Sequence, residues 1–240
     1  MLGIVRYGED SGGTEELRLG GARFICLTIE VSRWPKGPLA RRRADRGAAA
    51  LAEKGVRRAL FPEEFPYKEI FAGRGIREVD PLPLARALGG RYICQRMGEL
   101  GFLPGGTLAI CGDTLRAEMR DAVFYAVPRC RYVLLDVPRG GEDLAREVRR
   151  QWGAALQLRP AGEKLEAAEG LILYSPREDL SCRNPALCTA YPGGESFPEP
   201  RLPEELAERM PQGYEPSHLA AALWYSGKLR SEDFFVEFIG

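Results

Sequence analysis

Short apolar runs alternate with amphipathic stretches in the second half of the chain. TLAIC at 107–111, YVLLDV at 132–137 and GLILY at 170–174 are almost wholly apolar. Continuous apolar runs of this length are typical of strands that are covered on both faces of a sheet. Between the first two runs, apolar residues recur at helical spacing, namely at Leu115, Met119, Ala122, Val123 and Ala126. Strands that alternate with helices in this way predict an α/β fold with a doubly wound parallel sheet.

The pattern continues with a further helix and then changes. Over EDLAREVRRQWG, the residues Leu144, Val148 and Trp152 recur at every fourth position and predict an amphipathic helix. Prolines become frequent afterwards and helical spacing is mostly lost, which predicts a long loop or lid at 176–216. Ser217 is the expected N-cap of a last helix, and FFVEFI is the expected last strand.

The first part of the chain predicts an α/β portion that opens with a β meander. GIVRY and the longer segment at 15–31 favour strands, with Gly20 and Gly21 marking a hairpin or a bulge. The segment rich in Ala and Arg at 39–55 favours a helix, although Gly47 weakens its middle. The short apolar run VRRALFP then predicts a strand, so that a βαβ crossover is expected here.

A domain boundary is predicted at the glycine-rich segment GELGFLPGG. The expected division is an N-terminal portion at 1–103 and a C-terminal domain at 104–240, which includes the proline-rich loop. A second, shorter α/β cycle, with a helix between Pro81 and Leu100, falls in the N-terminal portion.

Composition contributes mainly by excluding classes of protein. The 240 residues carry 34 basic and 34 acidic side chains, so a net charge of zero gives no general attraction to nucleic acid. No apolar run approaches the roughly 20 residues of a membrane span, and the first residues lack the pattern of a signal peptide. We therefore expect a cytoplasmic protein without a membrane partner, in which most of the six cysteines are reduced.

The stretch TLAICGDTLRAEM has the order of a strand, a turn and a helix. In the dinucleotide pattern G-x-G-x-x-G/A, Gly112 fills the first position and Ala117 the third, while Thr114 stands where backbone would approach a pyrophosphate. Asp136 follows Gly112 by 24 residues, near the usual place of a ribose-binding carboxylate. The segment resembles the first βαβ unit of a Rossmann-type protein, which implies a Rossmann-like sheet in the C-terminal part.

Asp113 opposes dinucleotide binding in this segment. A carboxylate at the start of a helix occupies the electrostatic position that a pyrophosphate would use. The structural interpretation makes Asp113 the N-cap of the helix and Asp136 the polar end of a strand. Conventional NAD(P) binding is therefore disfavoured, and the sequence identifies no other cofactor.

A ligand site is nevertheless predicted by the fold class. In open α/β sheets, ligands bind in the crevice outside the carboxyl ends of the strands. If the apolar strands are parallel neighbours, the following candidate ligand-binding residues converge there: Gly112, Asp113, Thr114, Asp136, Arg139, Gly140 and Ser175. The sequence assigns no catalytic residue.

Two further features allow a chemical and a structural interpretation. His218 is the only histidine, so a Ser-His-Asp or Cys-His mechanism would require it, but an ordinary position at a helix start is the favoured interpretation. Cys182 and Cys188 lack the spacing and the second pair of a structural zinc site. Free thiols are favoured over a regulatory disulfide for this pair, and no metal site is predicted.

A cluster of arginines on the first predicted helix has two interpretations as well. Arg41, Arg42, Arg43 and Arg46, with Trp34 as a stacking surface, would form an anion or nucleic-acid patch. A solvated helix face is favoured, because successive arginines point around much of a helix.

Three functions follow as hypotheses. The first is a protein with a degenerate Rossmann-like fold that binds a small ligand or a protein partner without conventional NAD(P) chemistry. The second is an enzyme that acts on a nucleotide or small metabolite, with Asp113 or Asp136 as a polar anchor and the proline-rich segment as a lid. The third, nucleic-acid binding through Arg41–Arg46, is disfavoured. The sequence chooses neither a substrate nor an oligomeric state.

Overall fold

The structure is a computed structural model that describes residues 1–8, 13–30, 37–194, 196, 198–208, 211 and 213–237, with the backbone alone for 235–237. The chain separates into two compact units. The first consists of Met1–Pro81 and Arg201–Phe235, and the second consists of Leu82–Pro200 and the chain from Val236 onward. The predicted boundary near residue 103 falls inside the second unit, and a division into independently folding domains stays a prediction.

Strands and helices alternate along most of the described chain. The strands are β1 (Leu2–Gly8), β2 (Gly13–Leu19), β3 (Ala22–Glu30), β4 (Arg58–Leu60), β5 (Arg77–Glu78), β6 (Thr107–Cys111), β7 (Tyr132–Asp136), β8 (Leu156–Leu158), β9 (Gly170–Leu173), β10 (Ala186–Thr189), β11 (Glu199–Arg201) and β12 (Phe235–Glu237). The α-helices are α1 (Pro38–Glu53), α2 (Lys68–Gly73), α3 (Leu82–Glu99), α4 (Ala117–Ala126), α5 (Gly141–Trp152), α6 (Gly162–Glu166), α7 (Glu204–Ala207) and α8 (Pro216–Tyr225). Strands β11 and β12 pair with each other.

The first unit contains a five-stranded sheet in the order β2-β3-β1-β4-β5. β1 runs parallel to both β3 and β4, and only β2 is antiparallel to its neighbour β3. The opening is therefore a central strand followed by a hairpin, and the expected meander is not formed. The burial pattern gives the reason, because β1 begins with four buried residues whereas β2 is polar and has none. An apolar strand belongs inside a parallel sheet, and a polar strand is tolerated at its edge.

Helix α1 covers one face of this sheet in spite of the glycine in its middle. A Cβ atom on Gly47 would lie 2.6 Å from Leu27 Cδ2 in β3, so the glycine permits a close approach of helix and strand. Ala44, Ala48 and Leu51 of α1 join the same buried cluster. The predicted βαβ crossover through α1 is confirmed, with β3 and β4 on either side of β1.

The second unit contains a wholly parallel sheet in the order β10-β9-β6-β7-β8. From β6 the chain passes through α4 to β7 on one side, and it later returns through α6 to β9 on the other side. The strand order thus reverses between β6 and β9. The α/β fold class with a doubly wound parallel sheet is confirmed.

Helices lie on both faces of this sheet. On one face, Leu165 of α6 packs with Ala109, Cys111 and Leu171 in a buried cluster. On the other face, α3 and α4 pack against each other and against strands β6, β9 and β10. The sheet is consequently covered on both sides, as its continuous apolar strands require.

Three helix ends differ from the expectations. α4 begins at Ala117 after Arg116 as N-cap, so Asp113 is not the N-cap, and its carboxylate has another partner described below. α8 begins at Pro216, since the fixed φ of proline suits the first turn, and Ser217 is therefore not the N-cap either. Trp152, predicted on the buried face of α5, is 49% exposed at the end of that helix.

The proline-rich segment at 176–216 is not one continuous loop. Its residues Ala186–Thr189 form β10, which pairs with β9 at the edge of the parallel sheet. The short run ALCT has too few residues for periodicity to distinguish it among prolines. Part of this segment therefore belongs to the sheet, and a lid at 176–216 stays a prediction.

All six cysteines carry free thiols, and four of them are buried. In the part of the chain that the structure describes, no helix combines the length and apolar character needed to cross a membrane.

Gly90 and Gly98 provide a matched test of the contact between α3 and α4, because both glycines lie in α3. A Cβ atom on Gly90 would lie 2.7 Å from Ala122 Cα in α4, whereas nothing lies within 4 Å of one on Gly98. We expect Gly90→Ala to lower the free energy of unfolding by about 1–3 kcal/mol through overpacking. Gly98→Ala should raise it by up to about 1 kcal/mol through helix propensity. Urea denaturation measures both, and equal stability of the two variants would contradict the contact.

Candidate functional site

Polar residues gather at the carboxyl ends of β6, β7 and β9. In the sheet register, Cys111 at the end of β6 is level with Asp136 in β7 and with Leu173 in β9. Gly112 and Asp113 continue from β6, and Ser175 follows β9 after one residue. Because the strand order reverses between β6 and β9, these residues surround the place where α/β sheets bind ligands. We call this place the strand-end crevice.

A hydrogen bond joins the segments after β6 and β9 at the strand-end crevice, where the strand order reverses. The Ser175 hydroxyl donates to Asp113 Oδ1 at 3.0 Å. Ser175 is only 7% exposed, whereas Asp113 is an exposed residue. The buried serine therefore orients an exposed carboxylate at these strand ends.

Arg177 forms a second tie across the same strand ends. Its Nη1 donates to Asp136 Oδ2 at 2.5 Å, and its Nε and Nη2 each donate to one oxygen of Asp179 at 2.7 Å. Arg177 and Asp136 are both 22% exposed. The guanidinium thus links the segment after β9 to the end of β7. It crosses the carboxyl end of β6, which lies between these two strands in the sheet.

Sequence reasoning identified Asp136 but missed Arg177 and Asp179. Both follow the apolar run GLILY in the segment SPRED. Charged residues directly after a buried parallel strand are a usable signal, because they must lie at the carboxyl edge of the sheet.

The charges of this network are mutually stabilised. The hydrogen bonds from Arg177 lower the pKa of Asp179 to about 2. The hydrogen bonds to Asp179 and then to Asp136 raise the pKa of Arg177 above its ordinary value. With Asp113, three carboxylates lie at these strand ends against the guanidinium of Arg177 and, at the edge, that of Arg139, so negative charge is in excess.

Cys111 and Cys182 lie near this network but are not prepared as nucleophiles. Burial raises the pKa of the Cys111 thiol to about 12, and the charge of Asp136 adds to the effect. Burial also raises the pKa of the Cys182 thiol. Because the thiolate is the reactive form, these thiols are unreactive near neutral pH.

Gly112 serves the packing of α4. A Cβ atom on this residue would lie 2.9 Å from Met119 Sδ in α4 and 3.4 Å from Tyr174 Cβ. Its backbone N–H donates to the Asp136 carbonyl at 3.1 Å, so that this donor is already occupied. The glycine thus lets Met119 of α4 pack closely against the turn after β6.

The remaining predicted residues lie at the edge of the strand-end crevice. Gly140 is the N-cap of α5 with φ of 85°, and a Cβ atom there would lie 3.2 Å from Leu115 Cδ2. Thr114 and Arg139 are exposed, and no hydrogen bond or ion pair described in the structure joins Arg139 to Asp113, Asp136 or Ser175. The first turn of α5 carries Glu142 and Asp143, which occupy the anion-binding end of that helix.

The predicted histidine and the second predicted cysteine lie outside the strand-end crevice. His218 lies in the first turn of α8 in the first unit, whereas Asp113 and Ser175 belong to the second. Cys188 is buried in β10, with its thiol pKa raised by burial. Among the described residues, no three His, Cys, Asp or Glu side chains gather as metal ligands.

The predicted arginine patch is partly neutralised. Arg43 pairs with Glu30 at 3.4 Å, and Asp45 of the same helix accepts hydrogen bonds from Arg74. Arg41 and Arg42 are exposed. Trp34, the predicted stacking surface, lies outside the described residues.

No family model matches the sequence, and no curated protein matches it either. Among solved structures, the chain is similar to one described as "X-ray crystal structure of a putative aspartate carbamoyltransferase from Trypanosoma cruzi". The two are 12% identical with a TM-score of 0.33, over 95% of this chain and 80% of that chain. At this TM-score, the likeness identifies neither a ligand nor a binding residue of this chain.

The ion pair between Arg177 and Asp179 predicts a defined pH dependence of stability. The pKa of Asp179 falls from its ordinary 3.8 to about 2 in the folded chain, so its contribution is present above about pH 4 and is lost as the pH falls toward 2. We expect wild type to melt at a higher temperature than Asp179→Asn at pH 6, and the difference to disappear near pH 2. The exposed Glu178→Gln variant is the control and should follow wild type throughout. A difference that is constant from pH 6 to pH 2 would exclude this origin.

Proposed function

We propose that the second unit binds a small neutral or cationic metabolite at the strand-end crevice, without conventional NAD(P) chemistry. The metabolite presents hydroxyl or amine donors. The observation that carries the proposal is the accessible Asp113 carboxylate, held by Ser175 at the reversal of strand order. Cytoplasmic location is part of the same proposal.

The chemistry of the strand-end crevice supports a ligand that donates hydrogen bonds. An ionised carboxylate only accepts hydrogen bonds, and its bonds to such donors are among the stronger ones in proteins. Asp113 and Asp136 lie on neighbouring strand ends, and the guanidinium of Arg177 is bound on both sides by aspartates. A pyrophosphate would meet uncompensated negative charge there, whereas ribose hydroxyls or an ammonium group would be accepted.

Arg177 supports the proposal as a positioning residue. It ties the segment after β9 to β7, and Ser175 lies in that segment two residues earlier. The segment is therefore ordered before a ligand arrives. Because binding then loses less conformational entropy, this order favours binding.

Adenosine and S-adenosylmethionine are suitable probes, because one is neutral, the other is cationic, and both carry ribose hydroxyls. A ligand at 100 times its dissociation constant stabilises the folded state by about 2.7 kcal/mol. For a chain of this size, we expect a rise in melting temperature of roughly 5–10 °C with at least one of the probes. Asp113→Asn should weaken this response strongly, because the amide replaces one acceptor with a donor.

Asp45→Asn is the matched control for this test. Asp45 is likewise an aspartate bound by another side chain, but it lies on α1 in the first unit. The control should keep the full response to both probes. The proposal fails if neither probe stabilises the chain, or if Asp113→Asn and Asp45→Asn respond alike.

A further inference from the structure

A second polar site lies in the first unit, at the amino ends of β1, β4 and β5. A cavity of about 490 Å³ opens there beside Arg57, Arg58 and Arg77, with Gly75 and Tyr225 also in its lining. Its volume is in the range of small-molecule sites, which is about 300–1,000 Å³. We call it the arginine cavity.

The sheet register forces two of these arginines together. Arg58 of β4 is paired with Arg77 of β5 in a parallel ladder, so both side chains leave the same face. Arg57 immediately precedes β4, and its carbonyl accepts the Arg77 N–H at 3.0 Å. Like charges on neighbouring strands oppose the stability of a sheet.

Carboxylates do not cancel this charge. In the part of the chain that the structure describes, Glu78, which follows Arg77, is paired with Lys68 at 2.7 Å. Asp80 is near enough to act electrostatically on Tyr225, and it is one carboxylate against three guanidiniums. The arginine cavity therefore has an excess of positive charge.

Aromatic stacking fixes one of the guanidiniums. Arg58 Cζ lies 4.2 Å from the centre of the Tyr225 ring, at the end of α8. Burial raises the pKa of the Tyr225 phenol, which stays neutral and able to donate at physiological pH. Stacking orients the planar guanidinium, so its N–H groups are available in a defined direction.

Gly75 lies beside Arg57 in the lining of the cavity. Its φ of 78° is in the left-handed region, and a Cβ atom there would lie 3.6 Å from Arg57 Nη1. A side chain at this position would therefore strain the backbone.

From this geometry we propose that the arginine cavity binds a small polyanionic ligand, namely a phosphate ester or pyrophosphate compound. Each guanidinium offers a planar fork that matches two phosphate oxygens. A ligand with two negative groups would also relieve the repulsion between Arg58 and Arg77. The site is distinct in residues and in charge from the strand-end crevice, so the proposal does not rest on the function proposed above.

Calorimetric titration with inorganic pyrophosphate at low salt tests the arginine cavity. We expect wild type to bind it, and the double variant Arg57→Gln, Arg77→Gln to bind at least about 10-fold more weakly, since bonds to charged groups are lost. Arg58→Lys should also weaken binding, because lysine keeps the charge but loses the planar fork. Arg150→Gln, an exposed arginine on α5, is the matched control and should bind as wild type does.

Stability without ligand separates this role from a structural one. Removal of one of two neighbouring like charges should leave the melting temperature of Arg77→Gln equal to that of wild type or higher. Undetectable pyrophosphate binding, or equal binding by wild type and the double variant, would overturn the proposal. Tight binding of a short single-stranded oligonucleotide in place of pyrophosphate would overturn it as well. The response to adenosine should be the same in all these variants, so failure here leaves the strand-end crevice untouched.

Discussion

The central position of β6 in the second sheet determines where the polar residues of that unit can meet. β6 is hydrogen-bonded to β7 on one side and to β9 on the other. Connections to the two sides depart in opposite directions, and the carboxyl end of β6 is left between them. Asp113 and Ser175 are 62 residues apart in the chain, and this arrangement alone brings them within hydrogen-bond distance. The tie through Arg177 depends on the same three strand ends.

Although the chain has no net charge, its two candidate sites carry local charges of opposite sign. The strand-end crevice has an excess of carboxylates, whereas the arginine cavity has an excess of guanidiniums. Local potentials of this kind choose a ligand by the sign of its charge, and a net charge of zero carries no information about them. Under the two proposals made above, the first site would take hydrogen-bond donors and the second would take phosphates, so each unit would recognise a different chemical class.

Sequence patterns predicted the features that depend on local order. The apolar runs of β6, β7 and β9 identified the parallel sheet, and strand ends in a parallel sheet imply that Asp113 and Ser175 are neighbours. Partners such as Arg177 for Asp136 depend on a contact over 41 residues, which no local spacing encodes. Arg58 and Arg77 likewise become neighbours only through strand register. β10 was missed because four residues between prolines are too short to show a period.

Gly112 shows how a sequence motif can be matched for a reason unrelated to its usual ligand. The residue occupies the first position of a dinucleotide pattern, yet the atoms nearest to a Cβ there belong to a methionine and a tyrosine of the same unit. A motif search cannot separate a glycine that packs against a thioether from one that contacts a diphosphate, because both appear as the same letter. Where a chain matches such a pattern, the neighbours of the absent Cβ help to distinguish a glycine that serves packing from one that serves a ligand.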